Sequence, residues 1–173
     1  VQRIIIVGNS GSGKSTLATK LAERLDIPYI ETDSIFHQPG WKEIDSKLFR
    51  ERLDALTQSH SWVLDGNYLR FTREIVWPRA DTIVWLDYHF VRVVTQVTRR
   101  TFLRLFRGTE LWNGNRETWR MAFSRQSIIL WSIDMHYHYR KQFDKLLSSE
   151  AVDGKTVVQL KSPRETVAWL NDL

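Results

Sequence analysis

At 173 residues with 42% hydrophobic and 26% charged side chains, the chain has the size and composition of one globular domain with a real core, which excludes a disordered or fibrous protein. The formal net charge of +5 points to polyanionic ligands, nucleotide or nucleic acid, without choosing between them. Cysteine is absent, which excludes disulfides and thiolate metal sites; no apolar run approaches the roughly 20 residues of a membrane helix, and the first residues enter a strand instead of a signal peptide, so a cytoplasmic protein without membrane contact is expected.

The first element is the β-branched run Arg3 to Val7, a predicted strand. It leads directly into GNSGSGKS, Gly8 to Ser15, after which Leu17, Leu21 and Leu25 recur at helical spacing. The pattern is GxxxxGK(S/T), and each fixed position has a physical reason. Glycines let the backbone of Gly8, Asn9, Ser10, Gly11, Ser12 and Gly13 turn its N–H groups inward as an anion nest. Lys14 is placed for the β- and γ-phosphates of a nucleotide and the Ser15 hydroxyl for Mg²⁺. The helix that follows aims its positive end at the same anion.

Pro28, Tyr29 and Ile30 open a second strand near 28–31, which ends in Glu31, Thr32 and Asp33. A third strand near 61–65, in SWVLDGNYLR, ends in Asp65, Gly66, Asn67 and Tyr68. A fourth near 81–86, TIVWLD, ends in Asp87. The fifth is KTVVQL, 155–160. In the SPRETVAWL segment behind it, Ser162 and Glu165 have capping-box spacing and Pro163 takes the first helical position, so a terminal helix is predicted. Strand-like and helix-like segments alternate throughout, which argues for a parallel α/β sheet. No repeat, low-complexity tract or Gly/Ser linker divides 1–173, so one domain is expected, with a helical cover in the long interval of about 90–150.

Ligands of such sheets gather at the carboxyl ends of the strands. Asp65 is therefore read as a carboxylate holding Mg²⁺ directly or through water, and Asp33 as the group that orients or deprotonates an acceptor. Asp87 is read as a cap of the following helix. From Phe90 onward, at 100° per residue, Phe90, Val94, Val97, Thr101 and Leu105 fall on one side of a helix and Arg92, Arg99, Arg100, Arg104 and Arg107 on another. The turn in GTELWNGNRETW adds Arg116. Phosphoryl transfer needs cations that arrive with closure and exclude water, and Arg100, Arg104, Arg107 and Arg116 are the candidates. Trp41, after Pro39 and Gly40, and Tyr68 are candidate walls of an acceptor pocket. Trp62, Trp77, Trp85 and Trp169 are read as core.

Taken together, GNSGSGKST, ETDSIFHQPGW, WVLDGNY, the arginine-rich helix after TIVWLD, NRE and VVQLKSPRET resemble the topology-modulation (FlaR-like) proteins, a branch of the adenylate kinase-related P-loop kinases. The resemblance implies the three-layer α/β fold of P-loop NTPases, with a five-stranded parallel sheet in the order 2-3-1-4-5 and a helical LID. It implies that Gly11, Gly13, Lys14, Ser15 and Thr16 bind ATP and Mg²⁺, and that Ser162, Pro163 and Arg164 lie near adenine. Adenylate kinases carry DGxPR after the third strand, where the arginine grips the phosphate of AMP. Here Gly66, Asn67, Tyr68 and Leu69 follow Asp65, and Arg70 stands one residue later, so an acceptor other than AMP is expected beside Gly66, Asn67, Tyr68 and Arg70. Gln96 stands where relatives place the first LID arginine. In shikimate and gluconate kinases the acid after the second strand meets a hydroxyl acceptor, a role that Asp33 fits. The expected activity is ATP-dependent phosphoryl transfer to a nucleotide, nucleoside or other small acceptor. A nucleic-acid-binding regulator and a nucleotide-hydrolysing switch are the alternatives, and the acceptor-side residues Asp33, Trp41 and Asn67 favour the kinase.

Overall fold

Five strand segments assemble into one parallel sheet; the three central ones are buried on both faces, the pattern of a strand covered by helices above and below, while the last lies largely exposed at one edge. The computed structural model describes residues 2–125 and 127–173. The sheet contains β1 (Arg3–Gly8), β2 (Tyr29–Glu31), β5 (Trp62–Asp65), β6 (Thr82–Leu86) and β7 (Thr156–Leu160), in the order β2-β5-β1-β6-β7. In terms of sheet strands alone this is 2-3-1-4-5. The two-residue strands β3 (His37–Gln38) and β4 (Lys42–Glu43), absent from the sequence reading, form a hairpin outside the sheet.

Alternate residues of the central strands feed two cores. Ile5 and Val7 of β1, Trp62 and Leu64 of β5, and Ile83 and Trp85 of β6 face one layer. There they meet Phe49 and Leu53 of α3 (Ser46–Leu56), Phe71 of α4 (Leu69–Ile75) and Phe143 of α7 (Ile128–Leu147). Ile4, Ile6, Val63, Val84 and Leu86 face the other, with Leu17 and Leu21 of α1 (Lys14–Leu25) and, partly buried, Trp169 of α8 (Pro163–Asn171). Trp62, Trp77 and Phe143 are fully buried, each large side chain contributing on the order of 2–3 kcal/mol. The terminal helix begins as its sequence requires: Ser162 Oγ accepts the Glu165 N–H at 3.2 Å, and the Glu165 carboxylate reaches back to the Lys161 N–H at 2.8 Å.

Two expectations shift in the long interval. Helix α5 (Phe90–Arg107) buries Val93, Val97, Thr101 and Leu105, a strict i, i+4 stripe that takes Val93 in place of Phe90 and Val94. Phe90 instead stacks on Tyr137 of α7. Asp87 caps nothing, since the residue preceding α5 is His89. Its buried carboxylate accepts hydrogen bonds from Arg140 at 3.2 Å and Gln159 at 2.9 Å, tying α7 and β7 to the end of β6. With Phe143 and Leu146 in the core, α7 belongs to the body of the domain. The segment that crosses the sheet's carboxyl end is the turn at 108–118, before the short α6 (Trp119–Ala122). Among the described residues no helix is long and apolar enough to cross a membrane.

Candidate active site

The phosphate loop owes its shape to three glycines at positive φ: Gly8 (149°), Gly11 (86°) and Gly13 (95°). At Gly11 glycine is also demanded by space, because a Cβ there would come within 2.7 Å of Val97 Cβ and 3.0 Å of the Val93 carbonyl; α5 is closed directly onto the loop. Helix α7 holds the loop from another direction. Asn9 donates its amide to the Ser132 carbonyl at 2.8 Å, and Ser132 Oγ donates to the Ser10 carbonyl at 3.0 Å. The Lys14 ammonium folds back onto the carbonyls of Gly8 (2.9 Å) and Asn9 (3.0 Å). Burial pushes its pKa down, while Asp65 and Asp33 pull it up and Arg100 pushes it down further. Lys14, Asp65, Asp33 and Arg100 therefore share one electrostatic site.

Strand register brings the acids there. Parallel pairing sets Ile6 beside Asp65 and Asp65 beside Glu31, so three strands deliver their ends together. Thr32 Oγ donates to the Asp65 carbonyl at 2.6 Å, and a Cβ on Gly66 would run into that same hydroxyl. Asp65 is 4% exposed, and burial raises its carboxyl above the ordinary value; the Ser15 hydroxyl, Lys14 and Tyr29 beside it act in the opposite sense. A buried carboxylate with a serine hydroxyl next to it is a hard, all-oxygen donor set that fits Mg²⁺. The second strand stops at Glu31, so Asp33 stands in the first turn of the short α2 (Thr32–Phe36); it accepts the Tyr68 hydroxyl at 2.6 Å on Oδ1, and its other oxygen takes no hydrogen bond from the described residues. Burial and Asp33 raise the Tyr68 phenol, which keeps it a donor.

On α5, Arg92, Arg99, Arg100, Arg104 and Arg107 line a groove of about 450 Å³. Arg100 reaches Ser10 Oγ at 3.5 Å, its Nε is buried without a partner, and burial with Arg104 alongside pushes its pKa down to about 10. Arg104 is paired with Glu117 at 3.2 Å. Arg107 lies exposed along the groove, and Arg116 is exposed and paired with Glu110 at 3.3 Å. The structure thus brings Arg100 to the loop, sets Arg104 alongside it on Glu117, and leaves Arg107 and Arg116 exposed.

Other sequence candidates take different places. Asn67 grips the loop itself, accepting the Gly8 N–H at 3.1 Å and donating to the Gly8 carbonyl at 2.8 Å. Arg70 is exposed, its guanidinium over the Phe71 ring at 5.4 Å, outside the site. Trp41 lies in a seam between the β3–β4 hairpin and the 108–118 turn. Its N–H donates to Asn115 Oδ1 at 2.9 Å, its indole donates to the Arg116 carbonyl at 3.2 Å, and its ring meets His37 and Trp112. Asn115 Nδ2 donates to the Gln38 carbonyl at 3.0 Å, and Asn113 donates to those of Ser34 and His37. Ser162 and Pro163 form the start of α8 beyond β7, with Arg164 exposed there, and Ser15 and Thr16 sit exposed on the first turn of α1. Sequence reading assigned no role to Glu31, Ser132, Glu117 or the two asparagines of the seam. Glu31, two residues before Asp33 at a strand end, and Asn115 and Glu117, in the NRE segment, carried a local signal.

A family model described as an AAA domain matches residues 4–126. The adenylate kinase of Finegoldia magna is 36% identical over 80 residues, 46% of this chain and 34% of that protein. The cytidylate kinase of Nitratidesulfovibrio vulgaris is 36% identical over 56 residues, 29% of this chain and 24% of that protein. The chain spans about a third or less of the length of these curated relatives. A shikimate kinase from Acinetobacter baumannii in complex with shikimate superposes with a TM-score of 0.60 at 16% identity, covering 99% of this chain and 90% of that one. A gluconokinase from Sinorhizobium meliloti does so with a TM-score of 0.52 at 19% identity, covering 99% and 92%. With these two structures the chain shares the fold.

Proposed function

Because the chain belongs to the AAA-domain family, whose model matches well over half of it, and because its phosphate loop faces acids from the ends of β2 and β5, we propose that it is an ATP-dependent phosphotransferase acting on a small acceptor. The observation that carries this reading is the coupling of Lys14, Asp65, Asp33 and Arg100 in one site, with one Asp33 oxygen held by Tyr68 and the other unclaimed by the described residues. A hydrolytic switch has no use for that second carboxylate.

In this reading Ser15 and Asp65 hold Mg²⁺, which supplies neutralisation of charge on the β- and γ-phosphates. Lys14 exchanges the Gly8 and Asn9 carbonyls for phosphate oxygens. Asp33 orients the acceptor hydroxyl and takes its proton as the oxygen bonds to the γ-phosphorus, while the bond from that phosphorus to the β–γ bridging oxygen breaks and the bridging oxygen leaves on ADP. Arg100, whose buried Nε lacks a partner, and Arg104 neutralise the equatorial oxygens. The adenylate and cytidylate kinases among the relatives support phosphoryl transfer. The finer likeness to topology-modulation proteins, ATP as the donor and a cytoplasmic location belong to the same proposal. A nucleic-acid role is less favoured, because Arg100 and Val97 of α5 are turned onto the phosphate loop. The test is an ADP-release screen over nucleotides, nucleosides, sugars and hydroxy acids with Lys14→Ala as the control. Release that no acceptor raises above the Lys14→Ala background overturns the kinase reading.

A further inference from the structure

The charge of the acceptor side differs from that of the phosphate side. Lys14 and Arg100 belong to the phosphate loop, one on its carbonyls and the other against Ser10. Both act on Asp33 from that side, and the side chains next to Asp33 on the acceptor side are acidic. Glu31 lies near Asp33 and Asp65, and one of its oxygens takes the indole N–H of Trp112 in the 108–118 turn. The cation that Glu31 feels, Arg104, is already bonded to Glu117. The second Glu117 oxygen, Oε2, is buried and takes no hydrogen bond, an acceptor atom for which the described protein supplies no donor. Arginines nearby in sequence do not offset these charges: Arg50 is bonded to Glu74 at 2.7 Å and, like Arg70, stands over Phe71. Aromatic walls complete the surroundings, with His37 stacked on Trp112 at 5.7 Å and Tyr68 on Asp33.

Carboxylates with unfilled acceptor capacity beside aromatic faces suit a molecule rich in O–H or N–H donors, and they repel a phosphate or carboxylate held at the same place. We infer that the acceptor is an uncharged or amine-bearing polyhydroxylated small molecule and that anionic acceptors are rejected. This rests on the kinase reading above.

The experiment measures initial ADP release by the purified protein with saturating Mg–ATP on sets matched except for charge: glucose, glucosamine and glucuronate; ribose and ribose 5-phosphate; adenosine and AMP. The neutral or amine-bearing members should exceed their anionic partners by about 10²-fold or more in kcat/KM. Glu31→Gln should narrow the gap between amine-bearing and anionic members by about tenfold, the scale of one lost charge contact; an unchanged gap counts against the inference. Anionic members used as well as or better than their partners overturn the inference and leave the kinase reading standing. ATP binding by calorimetry without transfer to any member overturns the inference and leaves the phosphate site standing. Absence of ATP binding removes the kinase reading, and the inference falls with it.

Discussion

Asn115→Ala tests whether the seam between the hairpin and the 108–118 turn is a built closure. Asn115 is 4% exposed, and its amide satisfies two backbone groups, the Trp41 N–H at 2.9 Å and the Gln38 carbonyl at 3.0 Å. Losing two neutral hydrogen bonds costs about 1 kcal/mol each, and leaving both half-buried backbone partners unpaired adds about half as much again. The sum, about 3 kcal/mol, is on the order of 10²-fold in the equilibrium between docked and undocked turn. Asn113→Gly is the comparison. Asn113 sits at φ 56°, which glycine adopts without strain, and its amide donates to the Ser34 and His37 carbonyls from an exposed position where water replaces it. That change should cost about 1 kcal/mol, near fivefold. Amide hydrogen exchange at 37–43 and 108–118 reads both variants, and acceptor KM should rise in the same order. Equal or greater loss of protection in Asn113→Gly, or loss spread through β1, β5 and β6, would refute the reasoning.

Lys14→Ala should lower transfer by at least about 10³-fold, as removal of a charge aimed at the transition state does, with circular dichroism unchanged. Gly11→Ala forces a Cβ against Val97 and strains a φ of 86°, so it should lift α5 from the loop, weaken ATP binding in calorimetry and lower Tm, with a backbone penalty of at least about 1–2 kcal/mol. Burial, with Asp65 and Asp33 nearby, raises the Glu31 carboxyl above its ordinary value of 4.5. Its contribution to stability is then full below that value and lost as pH rises through the folded one. Glu31→Gln should therefore raise the Tm of the ligand-free protein at neutral pH, and the advantage should vanish on acidification into the carboxylate range. AMP should be a poor acceptor, and Asp33→Asn should depress turnover with the best acceptor by on the order of 10²-fold or more while ATP affinity by calorimetry stays near wild type; efficient AMP phosphorylation would place the missing clamp elsewhere.

What could be read from the chain was local. The strand, loop and first helix follow one another within 25 residues, and their apolar period, glycines and lysine need no partner from elsewhere to be recognised. The terminal helix was legible for the same reason, since Ser162 caps a backbone N–H three residues away. The buried stripe of α5 shifted by a residue at its start because Phe90 found a ring on α7, a neighbour that helical periodicity cannot supply. The seam was illegible for a stronger reason: Asn113 and Asn115 bond backbone groups 74 to 79 residues away, and carbonyls of a hairpin carry no side-chain signature. Asp87 was misread in the same way, as its partners come from α7 and β7.

The segment Asp65 to Tyr68 shows how a departure from a relative's motif becomes intelligible once register is known. Ile6 pairs with Asp65, so two steps further along parallel strands Gly8 comes opposite Asn67, and the amide of Asn67 closes on both polar groups of Gly8. Each neighbour also serves the site. Asp65 presents its carboxylate beside Ser15, Gly66 leaves room for the Thr32 hydroxyl, and Tyr68 holds one oxygen of Asp33. Four consecutive residues thus tie the ends of β1, β2 and β5 into one rigid frame. A segment used in this way has no side chain left to grip an acceptor's phosphate, and Arg70 lies over Phe71 outside the frame. In the kinase proposed here the arginine found in DGxPR would be replaced by fixation of the Asp33 carboxylate, an arrangement that suits an acceptor recognised by its hydroxyl groups.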